Sequence, residues 1–244
     1  MKTIVVWFSC GTASAVAAKK TIEKYGNTHK IRVVNNPVAE EHEDNQRFLR
    51  DCEKWLGVKI ETATNSKYPS CSIYDVFQKR KYISGIAGAP CTQELKKKAR
   101  QEWESKNEHD FIVLGFTSDE KKRHERFVLS ERSNVLPVLI DAGITKKDCF
   151  KILDDAGIKL PEIYSIGFPN ANCIGCVKSS SGAYWNLVKK TFPDRFDVIA
   201  RLSREIGCRI VRSKGKRYFL DELTEKMNGR QKKNIECGIF CEEE

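Results

Sequence analysis

The chain has 244 residues, 40% hydrophobic and 31% charged, enough to bury a sizeable core and a length that suits one α/β domain with an appended C-terminal segment. Its ten cysteines follow no charged-then-apolar leader, which points to reduced thiols or metal ligands in a cytoplasmic protein rather than to a disulfide framework. No apolar run approaches the about 20 residues of a membrane helix, and the net charge of +10 favours an anionic partner, with a nucleotide and a nucleic acid both open.

Residues 2–8 are a β-branched apolar run that reads as a buried strand; a turn over Ser9, Cys10, Gly11, Thr12, Ala13 and Ser14 and an alanine-rich helix to about residue 25 follow it. A second strand over 30–34 stops at Asn35-Asn36-Pro37, where proline ends regular pairing. An acidic helix is expected over 40–55, with Phe48, Leu49, Cys52 and Trp55 along one side and Gly57 ending it, then a strand over 58–62. Ser72 caps a short helix holding Tyr74, Val76 and Phe77, and Cys91 stands immediately before a basic helix over 92–103. The strand expected over 111–115 empties into Thr117-Ser118-Asp119-Glu120 and a polar helix. Another strand, over 135–140, precedes a helix that Thr145 caps and that runs to residue 156. Strands alternating with helices at this spacing predict an α/β fold with a doubly wound parallel sheet.

After Gly157 the texture changes. A loop rich in Pro, Gly and Asn over 160–172 leads to Cys173 and Cys176, then to an amphipathic helical stretch interrupted at Pro193 and a small hairpin about Lys214-Gly215. The expected division is a nucleotide-binding α/β domain over 1–158 and a C-terminal, helical, cysteine-bearing lid over 159–244 that packs on it and is not an independent domain. Positive charge gathers at Lys96-Lys97-Lys98 with Arg100, at Lys121-Lys122-Arg123 with Arg126, and over 212–217 and 230–233.

Ligands of open parallel sheets bind beyond the carboxyl ends of the strands, so residues 9–14 are where a phosphate or sulfate is expected. A short turn of small side chains there leaves backbone N–H groups and a helix N-terminus facing an anion, with Ser9, Thr12 and Ser14 adding hydroxyls. Asp119 and Glu120 read either as a carboxylate pair for metal or sugar contacts or as the acidic start of a solvated helix, where the helix dipole favours them. Cys237, in Glu236-Cys237-Gly238-Ile239-Phe240-Cys241, is a thiol near the chain end, a place that suits a nucleophile which approaches a bound substrate and withdraws.

These residues carry a resemblance. The 9–14 turn resembles the Ser-Gly-Gly-x-Asp-Ser phosphate loop of the adenine nucleotide alpha-hydrolase (PP-loop) superfamily, and the order of the remaining features resembles its phosphoadenosine phosphosulfate (PAPS) reductase family, phage-borne members included. Pro90-Cys91-Thr92-Gln93-Glu94-Leu95-Lys96 is similar to that family's Cys-x-x-x-x-Lys segment, and the stretch from Gly115 to Asp119-Glu120 to its Gly-x-x-x-Asp-Glu, with Arg123 and Arg126 after it. Cys173-x-x-Cys176 is similar to the cluster-binding pair of its iron–sulfur members, and Glu236-Cys237-Gly238 to the start of its C-terminal Glu-Cys-Gly-Leu-His. Cys10 replaces a loop glycine, Ala13 the loop aspartate, and Pro90 the first of two adjacent cysteines; Phe240 stands for the histidine, and Cys241 is added.

The resemblance implies an adenosine nucleotide (adenylyl sulfate, PAPS or ATP) held by residues 9–14, Lys96, Asp119, Glu120, Arg123 and Arg126. It implies a [4Fe–4S] cluster on Cys91, Cys173 and Cys176, with zinc the alternative for the same thiolates. It also implies an oxidoreductase in which Cys237 attacks the sulfonucleotide's sulfur, with Cys241 or a thioredoxin-like partner resolving the adduct. Two other readings stay open: ATP-dependent sulfur or nucleotidyl transfer onto tRNA or DNA, and an inactive nucleotide sensor. Cys52 and Cys149, with apolar neighbours at helical spacing, read as small core residues.

Overall fold

Five consecutive β-branched or aromatic residues, Ile4 to Phe8, leave the first strand no polar face, and in the computed structural model, which describes residues 1–86 and 88–228, it lies buried at the centre of a sheet. The sheet has four parallel strands, β1 (Thr3–Phe8), β2 (Lys30–Asn35), β3 (Ile60–Thr62) and β4 (Phe111–Val113), in the order β3-β2-β1-β4. Register runs Ile4 to Ile31 on one side of β1 and Ile4 to Phe111 on the other. The fold is α/β with a parallel sheet, as the alternation of strands and helices predicts.

The helices that follow the strands are α1 (Thr12–Tyr25), α2 (Asn45–Leu56), α3 (Ile73–Arg80), α4 (Ala99–Glu104), α5 (Lys121–Ser130), α6 (Val138–Asp141) and α7 (Lys146–Asp155). Between α3 and α4 the residues Thr92–Lys98 wind as a π-helix. The later elements are α8 (Gly182–Thr191), α9 (Pro193–Ile206) and a two-stranded antiparallel ribbon of β5 (Val211–Ser213) and β6 (Lys216–Tyr218).

By contacts the chain forms two compact units. The first comprises residues 1–37, 43–63 and 100–165, and therefore the whole four-stranded sheet; the second takes, of the described residues, 38–42, those within 64–99, and 166–228. In the first unit Ile4, Val6 and Phe8 pack with α1, α2, α6 and α7, while Trp7 on the opposite face of β1 meets Trp103 of α4 edge-on at 5.6 Å. Cys52 and Cys149 are core residues, as expected, and burial pushes each thiol up to about 12. In the second unit α8 and α9 pack through Trp185, Phe196 and Ile199, all buried, and Pro193 opens α9, where its missing N–H costs no bond.

Three expected elements come out differently. The strand expected over 135–140 is a single parallel bridge, Ile112 to Val135; after Leu136 donates to the Ile112 carbonyl at 2.9 Å, Pro137 has no N–H to continue the ladder and the chain turns into α6. The helix expected over 40–55 begins only at Asn45, because the Glu40 carboxylate accepts the Ser72 hydroxyl at 2.7 Å and the Ile73 N–H at 2.9 Å within the second unit. The helix expected over 92–103 is a π-helix running into α4. Among the described residues no helix is long and apolar enough to cross a membrane.

Candidate nucleotide site

Strand order reverses at β1: the chain moves outward to β2 and β3 on one side, then returns to place β4 on the other. The crevice beyond the carboxyl ends of β1 and β4 is thus the point at which open α/β sheets take their ligands.

The loop leaving β1 is held by the Ser14 hydroxyl, which accepts the Ser9 N–H at 3.0 Å and donates to the Gly11 carbonyl at 2.8 Å, with the Ser9 hydroxyl at 3.2 Å. Cys10, buried, carries the turn's positive φ of 53°, and Asn35 at the end of β2 donates to the Phe8 carbonyl at 2.9 Å and toward Cys10 Sγ at 3.8 Å. Gly11 is the N-cap of α1, in extended conformation. The first helical bond runs from the Ala15 N–H to the Gly11 carbonyl at 3.1 Å, so the N–H groups of Thr12, Ala13 and Ser14 precede any helical acceptor. The Thr12 hydroxyl is buried with no hydrogen-bond partner among the described residues, an arrangement proteins normally avoid unless a water, ion or ligand completes it.

Two glycines give the crevice its shape. At Gly115, just past β4, a Cβ would stand 2.9 Å from the Ser14 nitrogen and 3.0 Å from the Ala13 carbonyl carbon, so only glycine lets this loop lie against the start of α1. At Gly11 a Cβ would meet nothing nearer than Ser9 Oγ at 3.6 Å and the Tyr164 hydroxyl at 3.8 Å. Its space is open.

Tyr164 reaches this point through a chain of contacts. Arg47 of α2 binds Asp44 and Asp51 and donates to the carbonyls of Lys159 and Leu160 at 2.9 Å, and Asp44 accepts the Glu162 N–H at 2.8 Å. Those bonds fix the short 3₁₀ turn Glu162–Tyr164, whose tyrosine also packs edge-on against Phe150 at 5.2 Å. The two carboxylates raise the Arg47 guanidinium's pKa, Asp44 first.

The loop after β4 and the helix α5 that follows it carry four of the expected site residues. Thr117 donates its N–H to Glu120 at 3.3 Å, Glu120 pairs with Arg123, and Arg123 lies over the Phe116 ring at 5.2 Å. Asp119 accepts the Lys146 N–H at 3.0 Å, joining this loop to the start of α7. Arg126 lies one helical turn after Arg123 on the exposed side of α5. Burial lowers the pKa of Lys146, and Glu120 acts against that shift. The first unit therefore brings together residues 9–14 with Gly115 and, in a linked cluster, Asp119, Glu120, Arg123 and Lys146. Tyr164 and Lys146 escape the sequence reading; Asn35 enters it only as the end of a strand, and Gly115 only as the first residue of the Gly-x-x-x-Asp-Glu stretch.

The remaining expected residues that are described belong to the second unit. Cys91 precedes the π-helix, a rare conformation often found at functional sites. On that helix Lys96 is buried and pairs with Glu41 at 3.3 Å, and Glu94, 1% exposed, meets Lys98 at 2.9 Å, Arg80 at 3.5 Å and Asn65 Nδ2 at 3.3 Å. Cys173 and Cys176 are buried on one turn about Gly175, whose φ is +74° and whose absent Cβ would stand 2.3 Å from Ile199 Cδ1. The Cys176 N–H donates to the Tyr184 hydroxyl at 2.7 Å, and complete burial raises that phenol's pKa.

None of the eight described cysteines is in a disulfide. Among the described residues no group of three or more His, Cys, Asp or Glu side chains is placed to hold a metal ion, so Cys91, Cys173 and Cys176 do not by themselves assemble the expected cluster or zinc site. Cys237 and Cys241 lie outside the described residues.

No family model matches the chain. No curated protein matches it either. Among solved structures, the chain is similar to the U34-tRNA thiolase NcsA from Methanococcus maripaludis with its [4Fe-4S] cluster, at 11% identity and a TM-score of 0.47, over 84% of this chain and 72% of that one.

Proposed function

We propose that the chain is an enzyme of the PP-loop type that binds an adenosine nucleotide with its phosphate or sulfate end in the crevice between the β1 and β4 loops. The carrying observation is the contrast between two glycines: Gly115 is crowded against Ser14, while a Cβ at Gly11, beside the leading N–H groups of α1, would meet only the hydroxyls of Ser9 and Tyr164 at ordinary contact distance. A helix start with its donors exposed at a sheet's switch point favours an anion there. Ser9, Thr12 and Ser14 supply hydroxyls, Arg123 supplies charge on exchanging Glu120 for the ligand, and the Tyr164 hydroxyl borders the space.

The chemistry proposed at this site is transfer of sulfur. In the reductase form, the Cys237 thiolate attacks the sulfur of adenylyl sulfate or PAPS. A sulfur–sulfur bond forms as the sulfur–oxygen bond breaks, and the nucleotide phosphate leaves with the electron pair. A second thiol, from Cys241 or a thioredoxin-like protein, then displaces sulfite and forms a disulfide. In the second form a base oxygen of tRNA or DNA attacks the α-phosphorus of ATP and pyrophosphate leaves; the outer sulfur of a cysteine persulfide then attacks the activated carbon, AMP leaves with the oxygen, and a second thiol cleaves the sulfur–sulfur bond, forming a disulfide and leaving the thiolated base. The exposed basic residues favour that form, whereas Ala13 in place of the loop aspartate favours the first. Calorimetric titration with ATP, adenylyl sulfate and PAPS, followed by assays for sulfite and for pyrophosphate or AMP, tests the proposal. Tight binding with neither product would identify a nucleotide sensor, and no binding of any of the three would remove the nucleotide reading.

A further inference from the structure

The β5–β6 ribbon in the second unit is a cationic finger. Between Arg209 and Arg217 the chain carries five cations and no acid. Its base is fixed: Ile210, Val211, Phe219 and Leu220 are buried, the Arg212 N–H donates to the Ser180 carbonyl at 2.8 Å, and Arg204 and Arg209 lie over the Phe219 ring at 3.8 and 4.9 Å. Arg204 is further held by Asp221 at 2.6 Å. The tip, Lys214-Gly215, turns with φ of 48° and 79°, the double positive φ of the tightest hairpin connections.

Pairing in this ribbon sets Arg212 directly across from Arg217 and Lys216 across from Ser213. Arg212, Lys214 and Lys216 are all exposed with no carboxylate within ion-pair distance among the described residues. Such a row suits an external polyanion. A bilayer is the poorer match, since surface-binding elements insert apolar side chains and this tip presents none. A two-stranded ribbon instead has the width of a nucleic-acid groove, and regularly spaced phosphates answer a row of cations.

We propose that the β5–β6 ribbon docks the phosphodiester backbone of a nucleic acid, with Arg212, Lys214 and Lys216 contacting phosphates. The assignment deepens the second form of the proposed chemistry by naming the surface that receives the nucleic acid, and its test uses no nucleotide, so the two can fail separately.

The test is fluorescence anisotropy with a labelled RNA stem-loop, a DNA duplex and a single-stranded DNA, titrated over a range of salt with the full chain. The wild type binds with an affinity that falls steeply with salt. The R212Q/K214Q/K216Q variant, all three changes being at exposed positions, keeps the wild-type circular dichroism and thermal melt but binds about tenfold or more weaker, with a salt slope smaller by about three, roughly one per lost phosphate contact. A control removing the same charge elsewhere, K30Q/K54Q/K59Q, leaves the slope unchanged. Preference among the three probes identifies which nucleic acid the ribbon takes. Equal loss in both variants, no loss in the ribbon variant, no binding by the wild type, or stronger association with phosphatidylserine vesicles than with any of the three probes would each overturn the proposal.

Discussion

Gly115 lies so close to Ser14 that a Cβ built on it would stand 2.9 Å from the Ser14 nitrogen. The β4 loop is thereby pressed against the third residue of α1, which brings the carboxyl end of β4 beside that of its neighbour β1. Replacing Gly115 with alanine must move backbone, because the obstructing atoms are main-chain. The expected cost is about 1–3 kcal/mol, the usual range for overpacking, together with at least about tenfold weaker nucleotide binding. Denaturant titration and calorimetry on the variant check both.

The buried thiols of Cys52 and Cys149 make a chemical prediction. With burial holding each at about 12, almost no thiolate forms at pH 8, and thiolate is the reactive species. Iodoacetamide applied to the native protein should leave both unmodified while labelling them fully in urea. Peptide mass spectrometry reads the difference, and rapid native labelling of either would contradict its core placement.

Helix α7 starts with a reciprocal cap: the Thr145 hydroxyl accepts the Asp148 N–H at 3.1 Å, and Asp148 accepts the Thr145 N–H at 2.9 Å. The Thr145 hydroxyl, then its N–H, hold the Asp148 carboxyl below the ordinary range. A depressed carboxyl contributes stability that is present above its unfolded pKa, about 3.9, and is lost as pH falls through its lower folded value. Thr145→Ala should cost about 1 kcal/mol at neutral pH and shrink this share of the acid loss. Urea melts from pH 7 to pH 2.5 measure both.

Gly175, between Cys173 and Cys176, has two reasons to be glycine: a φ of +74° and Ile199 Cδ1 only 2.3 Å from where a Cβ would stand. Gly175→Ala should destabilise the protein by about 2 kcal/mol or more, from steric conflict and left-handed backbone together. Adding Ile199→Val removes the obstructing methyl and should recover part of that loss. No recovery in the double variant would show that the backbone term alone decides.

Much of this arrangement is legible in the residues themselves. The run from Ile4 to Phe8 specifies a buried central strand, the small-residue turn after it specifies a strand-to-helix connection, and Thr145 and Ser72 announce their helices. What local pattern does not carry is competition over distance. Glu40 follows the helical pattern, yet its carboxylate serves Ser72 and Ile73, so α2 starts later. The apolar stretch after Val135 has strand composition, yet Pro137 withholds one donor and the ladder stops. The site shows the same division. Residues 9–14 stand out by composition, whereas Tyr164 and Gly115 matter through atoms that meet them from far along the chain.

The central claim, an anion held over Gly11, is tested most directly by Gly11→Val. Gly11 has an extended backbone, φ −100° and ψ 156°, that valine adopts readily, and no atom crowds its Cβ position. The variant should fold within about 1 kcal/mol of wild type, the loss being that of a poorer N-cap. Isothermal titration with ATP, adenylyl sulfate and PAPS, run beside a thermal melt, should show a folded protein whose affinity for the nucleotide that wild type binds has fallen at least about a hundredfold. A folded Gly11→Val protein that binds this nucleotide as tightly as wild type would contradict the account.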